Sequence, residues 1–343
     1  MKHLLVLVLT LATGLFSCNK NPDISRKAFD QNNSLARLRD TLTDTIKVPI
    51  NDLGTGTYRG FTGGLYPGGI DTPSGKYARD LMRFATRIKP LDSNGKSSDT
   101  GRIVFISLGA SIGGHNMVAL ISKTIHNPLT NPRLTMANCN NGSGAASLNS
   151  MMNPNDPYWA HVDKILSSHH ITYKQVQIIY LETDDSLPIT SFPQRAYQFR
   201  DDMKNAMQVC KTKFKHLKLV YVLGRTTTWN KTQIQNIEPA PYYNGWGEKF
   251  FIEDQINGVA GTQYKGDSAV APLVTWGWYQ WANGTTIPRQ DGFIWTQDET
   301  VDGLHATTDG QDTLSTRFQN FLLTDKYASV WYANHQGPLA VQK

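Results

Sequence analysis

Residues 102–114 read Arg102-Ile-Val-Phe-Ile-Ser-Leu-Gly-Ala-Ser-Ile-Gly-Gly114, and this stretch decides the fold. Arg102 to Leu108 is a short, nearly continuous apolar run, as expected of a strand buried on both faces. Small residues follow, and Ile112 to Thr124 then reads as a helix that Asn127-Pro128 ends. The alternation continues outward. Lys76 to Ile88 is a helical pattern before the strand. After it come a strand at Arg133 to Asn138, a helix at Asp156 to Ser168 opened by Asp-Pro, and a strand at Val176 to Leu181. A long helix, Pro193 to Phe214, leads to a strand at Leu217 to Leu223. A helix from Tyr243 to Ile256, a strand at Pro272 to Trp276 and a last helix at Thr308 to Leu323 complete the series. Five short apolar strands separated by helices predict a three-layer α/β/α domain built on a parallel sheet.

The chain has 343 residues, enough for one large α/β domain or two smaller ones. Only 18% of residues are charged, which excludes a charged disordered tail protein. Lys and Arg number 34 against 28 Asp and Glu, and the excess of +6 is spread with no basic block. No nucleic-acid partner is expected. There is no CxxC or HExxH spacing, so neither a metal nor a cofactor is expected.

The N-terminus points to a compartment. Lys2 and His3 precede an apolar run from Leu4 to Phe16, which as a helix rises only about 20 Å, short of a bilayer core of roughly 30 Å. This is the pattern of a secretory signal. It ends Leu15-Phe16-Ser17-Cys18, which resembles a bacterial lipobox whose cysteine is lipidated. Residues 1–17 are therefore expected to be a signal peptide and 18–50 a polar, lipid-anchored tether. A domain over 51–335 and a short tail over 336–343 follow. Asn19 rather than Asp after the cysteine favours the outer membrane, with the domain at the cell envelope. The other cysteines, Cys139 and Cys210, leave pairing open. The glycine-rich stretch Asp52 to Gly69 reads as an ordered loop, with no phosphate-binding pattern.

Active sites of parallel sheets lie beyond the carboxyl ends of the strands. Ser111 stands there, just past the first strand and at the start of a helix, where a nucleophile gains exposure and helix N-terminal amides. Capping the helix is the plainer role for it. Far along the chain, Asp302-Gly-Leu-His305 puts an acid three residues before a histidine, just ahead of the last helix. On one tight turn, the Asp can orient the imidazole toward a common nucleophile.

At these residues the sequence resembles the SGNH (GDSL-type) hydrolase superfamily, and more closely an uncharacterised secreted branch of it. Asp52-Leu-Gly-Thr-Gly-Thr-Tyr, Gly63-Gly-Leu-Tyr-Pro, Ile237-Glu-Pro-Ala-Pro-Tyr, Phe251-Ile-Glu-Asp-Gln-Ile, Asp302-Gly-Leu-His and Trp331-Tyr carry the likeness, over roughly residues 51–335. The resemblance implies a flavodoxin-like five-stranded sheet and a serine esterase with Ser111 as nucleophile, His305 as base and Asp302 as orienting acid. It further implies an oxyanion glycine at Gly144, with Gly142 the competing choice. The family's Gly-Asp-Ser is here Gly109-Ala110-Ser111. Its oxyanion Asn falls near Glu182-Thr-Asp184-Asp185, and Asp185 is expected in its place. An ionised Asp cannot donate a hydrogen bond to an oxyanion.

Arg225, Glu238 and Asn141 are candidates for substrate contact, and the late tryptophans Trp276, Trp278, Trp281 and Trp295 for packing. The expected activity is hydrolysis of an ester, with an acyl group on a carbohydrate as the substrate. The alternative is an inactive glycan-binding lipoprotein of the same fold, for which Asp185 is the argument.

The anchor can be tested directly. Cys18→Ser should move the protein from the membrane to the soluble fraction without changing the melting temperature of the domain, since one or more acyl chains supply the membrane affinity. A wild type found wholly soluble after fractionation removes the anchor.

Overall fold

The structure is a computed structural model that describes residues 47–142, 146–186 and 191–335. The leader, Cys18, most of the tether, Gly144 and the C-terminal tail lie outside the described residues. Chain order runs α1 (Ile50–Leu53), β1 (Thr57–Tyr58), β2 (Phe61–Thr62), α2 (Gly75–Ala85), β3 (Ile103–Gly109) and α3 (Ser111–Ile125). Next come β4 (Leu134–Asn138), α4 (Leu148–Met151), α5 (Pro157–Ser168), β5 (Val176–Glu182), α6 (Gln194–Lys213) and β6 (Leu219–Val222). The chain closes with α7 (Ala240–Asn257), β7 (Leu273–Trp276), α8 (Thr308–Thr324) and α9 (Ser329–Tyr332).

The five long-range strands form one parallel sheet in the order β4-β3-β5-β6-β7. All residues of β3 and β5 are buried, which is why the sequence showed unbroken apolar runs there. From β3 the chain crosses to β4 on one side, and from β5 to β6 on the other. Right-handed crossovers then put α3 and α6 on opposite faces of the sheet. The packing agrees: α3 lies against α8, and α6 against α7. The order reverses between β3 and β5, and their carboxyl ends, paired at Gly109 and Glu182, mark the switch point. This is the expected flavodoxin-like α/β architecture.

Two segments differ from the reading of the sequence. The glycine-rich entry is more than a loop, since it holds α1 and the antiparallel pair β1–β2. Ile50, the last residue assigned to the tether, is fully buried in the main core. Helix α7 begins at Ala240 rather than Tyr243, because Pro241 sits in its first turn, where a missing N–H costs nothing.

Trp276, Trp281 and Trp295 are buried, with their indole N–H groups donating to Leu65 O, Glu238 Oε1 and Thr227 O. Their role is packing. Cys139 and Cys210 are both free and buried, and burial pushes each thiol up to about 12. Among the described residues no helix is long and apolar enough to cross a membrane.

The join between β3 and α3 is sterically tight. Gly109 has φ +141, and a Cβ there would fall onto the carbonyl oxygen of Glu182. Gly109→Ala should lower stability by about 2–4 kcal/mol, read as a lower denaturant midpoint at unchanged slope. An unshifted midpoint would show that the turn tolerates a side chain.

Candidate active site

Ser111 is the first residue of α3, following Ala110 in extended backbone. Its own amide therefore has no intrahelical acceptor and faces outward with the positive end of the helix dipole. Neighbouring side chains fix this turn. Asn140 donates through Nδ2 to Ala110 O at 3.0 Å, and Asn138 through Nδ2 to Gly114 O at 3.1 Å. Tyr158 accepts from the Gly109 amide at 3.2 Å and donates to Cys139 O at 3.2 Å. Beneath the helix, Asn116 donates to the buried Glu182 at 3.0 Å. Burial raises the Glu182 carboxyl above the usual range.

The loop before α8 brings the histidine. Ser111 Oγ lies 2.8 Å from His305 Nε2, and His305 Nδ1 lies 2.8 Å from Asp302 Oδ2. The other oxygen of Asp302 accepts from the amides of His305 at 2.7 Å and Leu304 at 3.0 Å. Partial burial opposes ionisation of Asp302, yet these bonds prevail and hold its carboxyl below the usual range. The loop is clamped from outside. Val301 N–H donates to His305 O at 2.8 Å, and the amides of Trp229 and Asn230 donate to Gly303 O at 2.7 and 3.1 Å. The three predicted residues thus form one hydrogen-bonded chain, with serine and histidine 194 residues apart.

A cavity of about 290 Å³ opens beside this chain. Its lining includes Ser111, His305, Leu304 and Gly142, together with Asp184, Ser186, Arg225, Gln233, Gln235 and Asn236. A Cβ on Gly142 would stand 4.0 Å from that of Ser111, so its backbone passes close to the nucleophile. Gly144, the first choice for the oxyanion glycine, lies outside the described residues.

The position expected of Asp185 is corrected. Asp185 is fully buried and pairs with Arg195 through both guanidinium Nη atoms, also fully buried, and it is not among the cavity-lining residues. The residue that faces the cavity is its neighbour Asp184. Its Oδ1 accepts from Ser186 N at 2.9 Å and Ser186 Oγ at 3.2 Å, and its Oδ2 from Arg225 Nη1 at 3.2 Å. Past the end of β5 the strand alternation lapses, so nothing in Asp184-Asp185 says which side chain turns outward.

Arg225 lies in the cavity wall, as expected of a substrate contact, although only 3% of it is exposed. Asn141 and Glu238 are not in that wall. Asn141 donates its amide to Gly109 O at 2.9 Å. Glu238 accepts from Trp281 Nε1 at 3.0 Å at the base of the 225–239 segment, and burial pushes its carboxyl up to about 7.

Three contributors escaped the sequence reading. Gln233 and Asn236 reach the cavity through a segment with no periodic pattern. His115, one helical turn after Ser111, sets its ring 5.4 Å from that of His305. Only its i+4 spacing from the serine hinted at this.

No family model matches the chain, and no curated protein does. Among solved structures, the chain is similar to a protein of Bacteroides fragilis assigned as an acylhydrolase, at 11% identity, 72% of this chain, 97% of that one and a TM-score of 0.34. It is also similar to a GDSL-like lipase of Bacteroides thetaiotaomicron, at 10% identity, 71% and 96% coverage and a TM-score of 0.36. At this identity and score the likeness carries nothing about chemistry.

The correction at Asp185 yields a clear outcome. Asp185→Asn leaves the Arg195 charge buried without its counter-ion and should cost about 3–5 kcal/mol of stability. Turnover of the folded fraction should stay within about threefold of wild type. A large rise in turnover would instead place Asp185 at the reacting centre.

Proposed function

We propose that the protein is a serine hydrolase of carboxylic esters, and that its substrate is a short acyl group carried on a carbohydrate. The observation that carries the reading is the chain Ser111 Oγ, His305 Nε2/Nδ1, Asp302 Oδ2, with both links at 2.8 Å, at the edge of the cavity. Hydrogen-bond contact between serine and imidazole lets the base take the hydroxyl proton as the oxygen attacks. With Nδ1–H donated to Asp302, Nε2 is the free lone pair, the tautomer that base catalysis needs. Attack at the acyl carbon gives a tetrahedral oxyanion near the Ser111 amide, with the Gly142 backbone alongside. Collapse expels the alcohol, which takes the proton from His305, and water then cleaves the acyl-enzyme by the same steps.

The size and lining of the cavity support the substrate class. About 290 Å³ is at the small end for ligand pockets and suits a short acyl chain. Besides the Asp184–Arg225 pair, the lining carries amides and hydroxyls (Gln233, Gln235, Asn236, Ser147, Ser186), groups that pair with sugar hydroxyls. Placement at the bacterial envelope through a lipid on Cys18 belongs to the same proposal and rests on the leader sequence. The inactive, glycan-binding alternative depended on Asp185, which is occupied with Arg195.

Fluorophosphonate should label the wild-type protein at Ser111 and leave Ser111→Ala unlabelled. Ser111→Ala and His305→Ala should each lower turnover on an aryl acetate by at least about 10³-fold. The double variant should lose no more than the worse single one, because the two groups act as a unit, and stability should change by less than about 2 kcal/mol. Full turnover by Ser111→Ala would end the nucleophile assignment. Equal rates on acetylated sugars and on long-chain acyl esters would end the substrate assignment.

A further inference from the structure

We propose that Arg225 donates a hydrogen bond to the oxyanion, with Asp184 and Asn236 holding its guanidinium in place. The inference rests on the ester-hydrolase reading and names the group that stabilises the developing charge at that site.

The chemistry of the cavity raises a problem that Arg225 answers. Asp184 lines the same cavity as Ser111 and His305, and a carboxylate can only accept hydrogen bonds. Left bare, it would repel the negative oxygen of a tetrahedral intermediate. It is not bare. Ser186 donates to Oδ1 from both its amide and its hydroxyl, at 2.9 and 3.2 Å, with Ser186 held at φ +54. Oδ2 accepts from Arg225 Nη1 at 3.2 Å. Apart from the catalytic histidine, Arg225 is the single basic side chain lining the cavity among the described residues.

Its surroundings suit a donor better than an anchor for an anionic substrate. The pair with Asp184 cancels most of the net charge, so a distant anion gains little. A guanidinium has five N–H groups, and here one Nη goes to Asp184 and the other to Asn236 Oδ1 at 2.6 Å. Asn236 is itself held, donating to Gln233 Oε1 at 2.5 Å. Two acceptors on two segments fix the plane of a group that is 3% exposed. A fixed dipole in a site shielded from water is what stabilises charge that appears only in the transition state. When Ser111 Oγ bonds to the acyl carbon, its proton passes to His305 Nε2 and the carbonyl π pair moves onto oxygen. An Arg225 N–H meets that oxygen. On collapse the pair re-forms the carbonyl, the C–O bond to the alcohol breaks, and the alcohol oxygen takes the proton back from His305.

The test compares wild type, Arg225→Ala and Arg225→Lys on a series of acetates that share the acyl group and differ in the alcohol, from p-nitrophenyl and phenyl to an acetylated methyl glycoside. Thermal melts are recorded for each protein. Arg225→Ala should lower kcat by about 10²–10³-fold with KM within about threefold. The factor should be the same for every alcohol, because all pass through the same oxyanion. Arg225→Lys keeps one donor and should fall between the two. If Arg225→Ala does not fold, the lysine variant is read alone, with at least a fivefold loss in kcat expected. A raised KM at unchanged kcat, or a loss that follows the alcohol, would overturn the proposal by placing Arg225 on the substrate's leaving side. A wild type without turnover on any acetate ends the ester reading and this inference with it.

Discussion

The site depends on the close approach of two parallel strands at the turn where β3 hands over to α3. Gly109 pairs with Glu182 across the strands, and its backbone passes so near the Glu182 carbonyl that no side chain fits. This contact sets where α3 starts and therefore where Ser111 points. The carboxyl end of β5, with Asp184 just beyond it, is set by the same contact. Asn138 and Asn140 at the end of β4 then hold the first turn of α3 in position. Ser111 and Asp184 thus owe their places to one strand pairing. The segment after β6, which carries Arg225, Gln233 and Asn236, and the histidine loop come from elsewhere, and backbone bonds from Trp229 and Asn230 tie the two together.

Around this frame the protein buries several carboxylates and treats them in different ways. Asp185 is matched by a fully buried arginine, a pair whose separate halves would each be costly. Asp184 is matched by Arg225 and by a serine turn, so a charge can stand at the cavity without a net field. Glu182, Glu238 and Glu248 form no ion pair among the described residues, and burial raises all three above the usual carboxylate range. Glu248 accepts from the Gly224 amide at 2.9 Å, at the root of the segment that carries Arg225. Of these acids, only Asp184 lines the cavity beside Ser111 among the described residues.

Asp302 differs from these buried acids in its exposure. Asp302 is about half exposed, yet three hydrogen bonds from its own turn keep it ionised. A four-residue turn that supplies the acid, its donors and the histidine needs little help from the rest of the fold. That self-sufficiency is why Asp302-Gly-Leu-His305 could be read from sequence.

The sequence by itself determined the layers and the local turns. Unbroken apolar runs named the buried strands, helical spacing and prolines named most helix limits, and short-range patterns named Ser111, Asp302 and His305. Each of these is fixed by interactions within a few residues or by burial of a whole segment. The tertiary structure alone decided which of Asp184 and Asp185 faces the cavity, that Arg195 takes the other, and that Glu238 and Asn141 are not among its lining residues. It also brought Gln233, Asn236 and His115 to the site. Those outcomes depend on partners as near as 10 residues, for Asp185 and Arg195, and as far apart as His115 and His305, and on where a strand ends and its alternation lapses. No local pattern records them, because the deciding energy lies in the pairing of buried charges across separate segments.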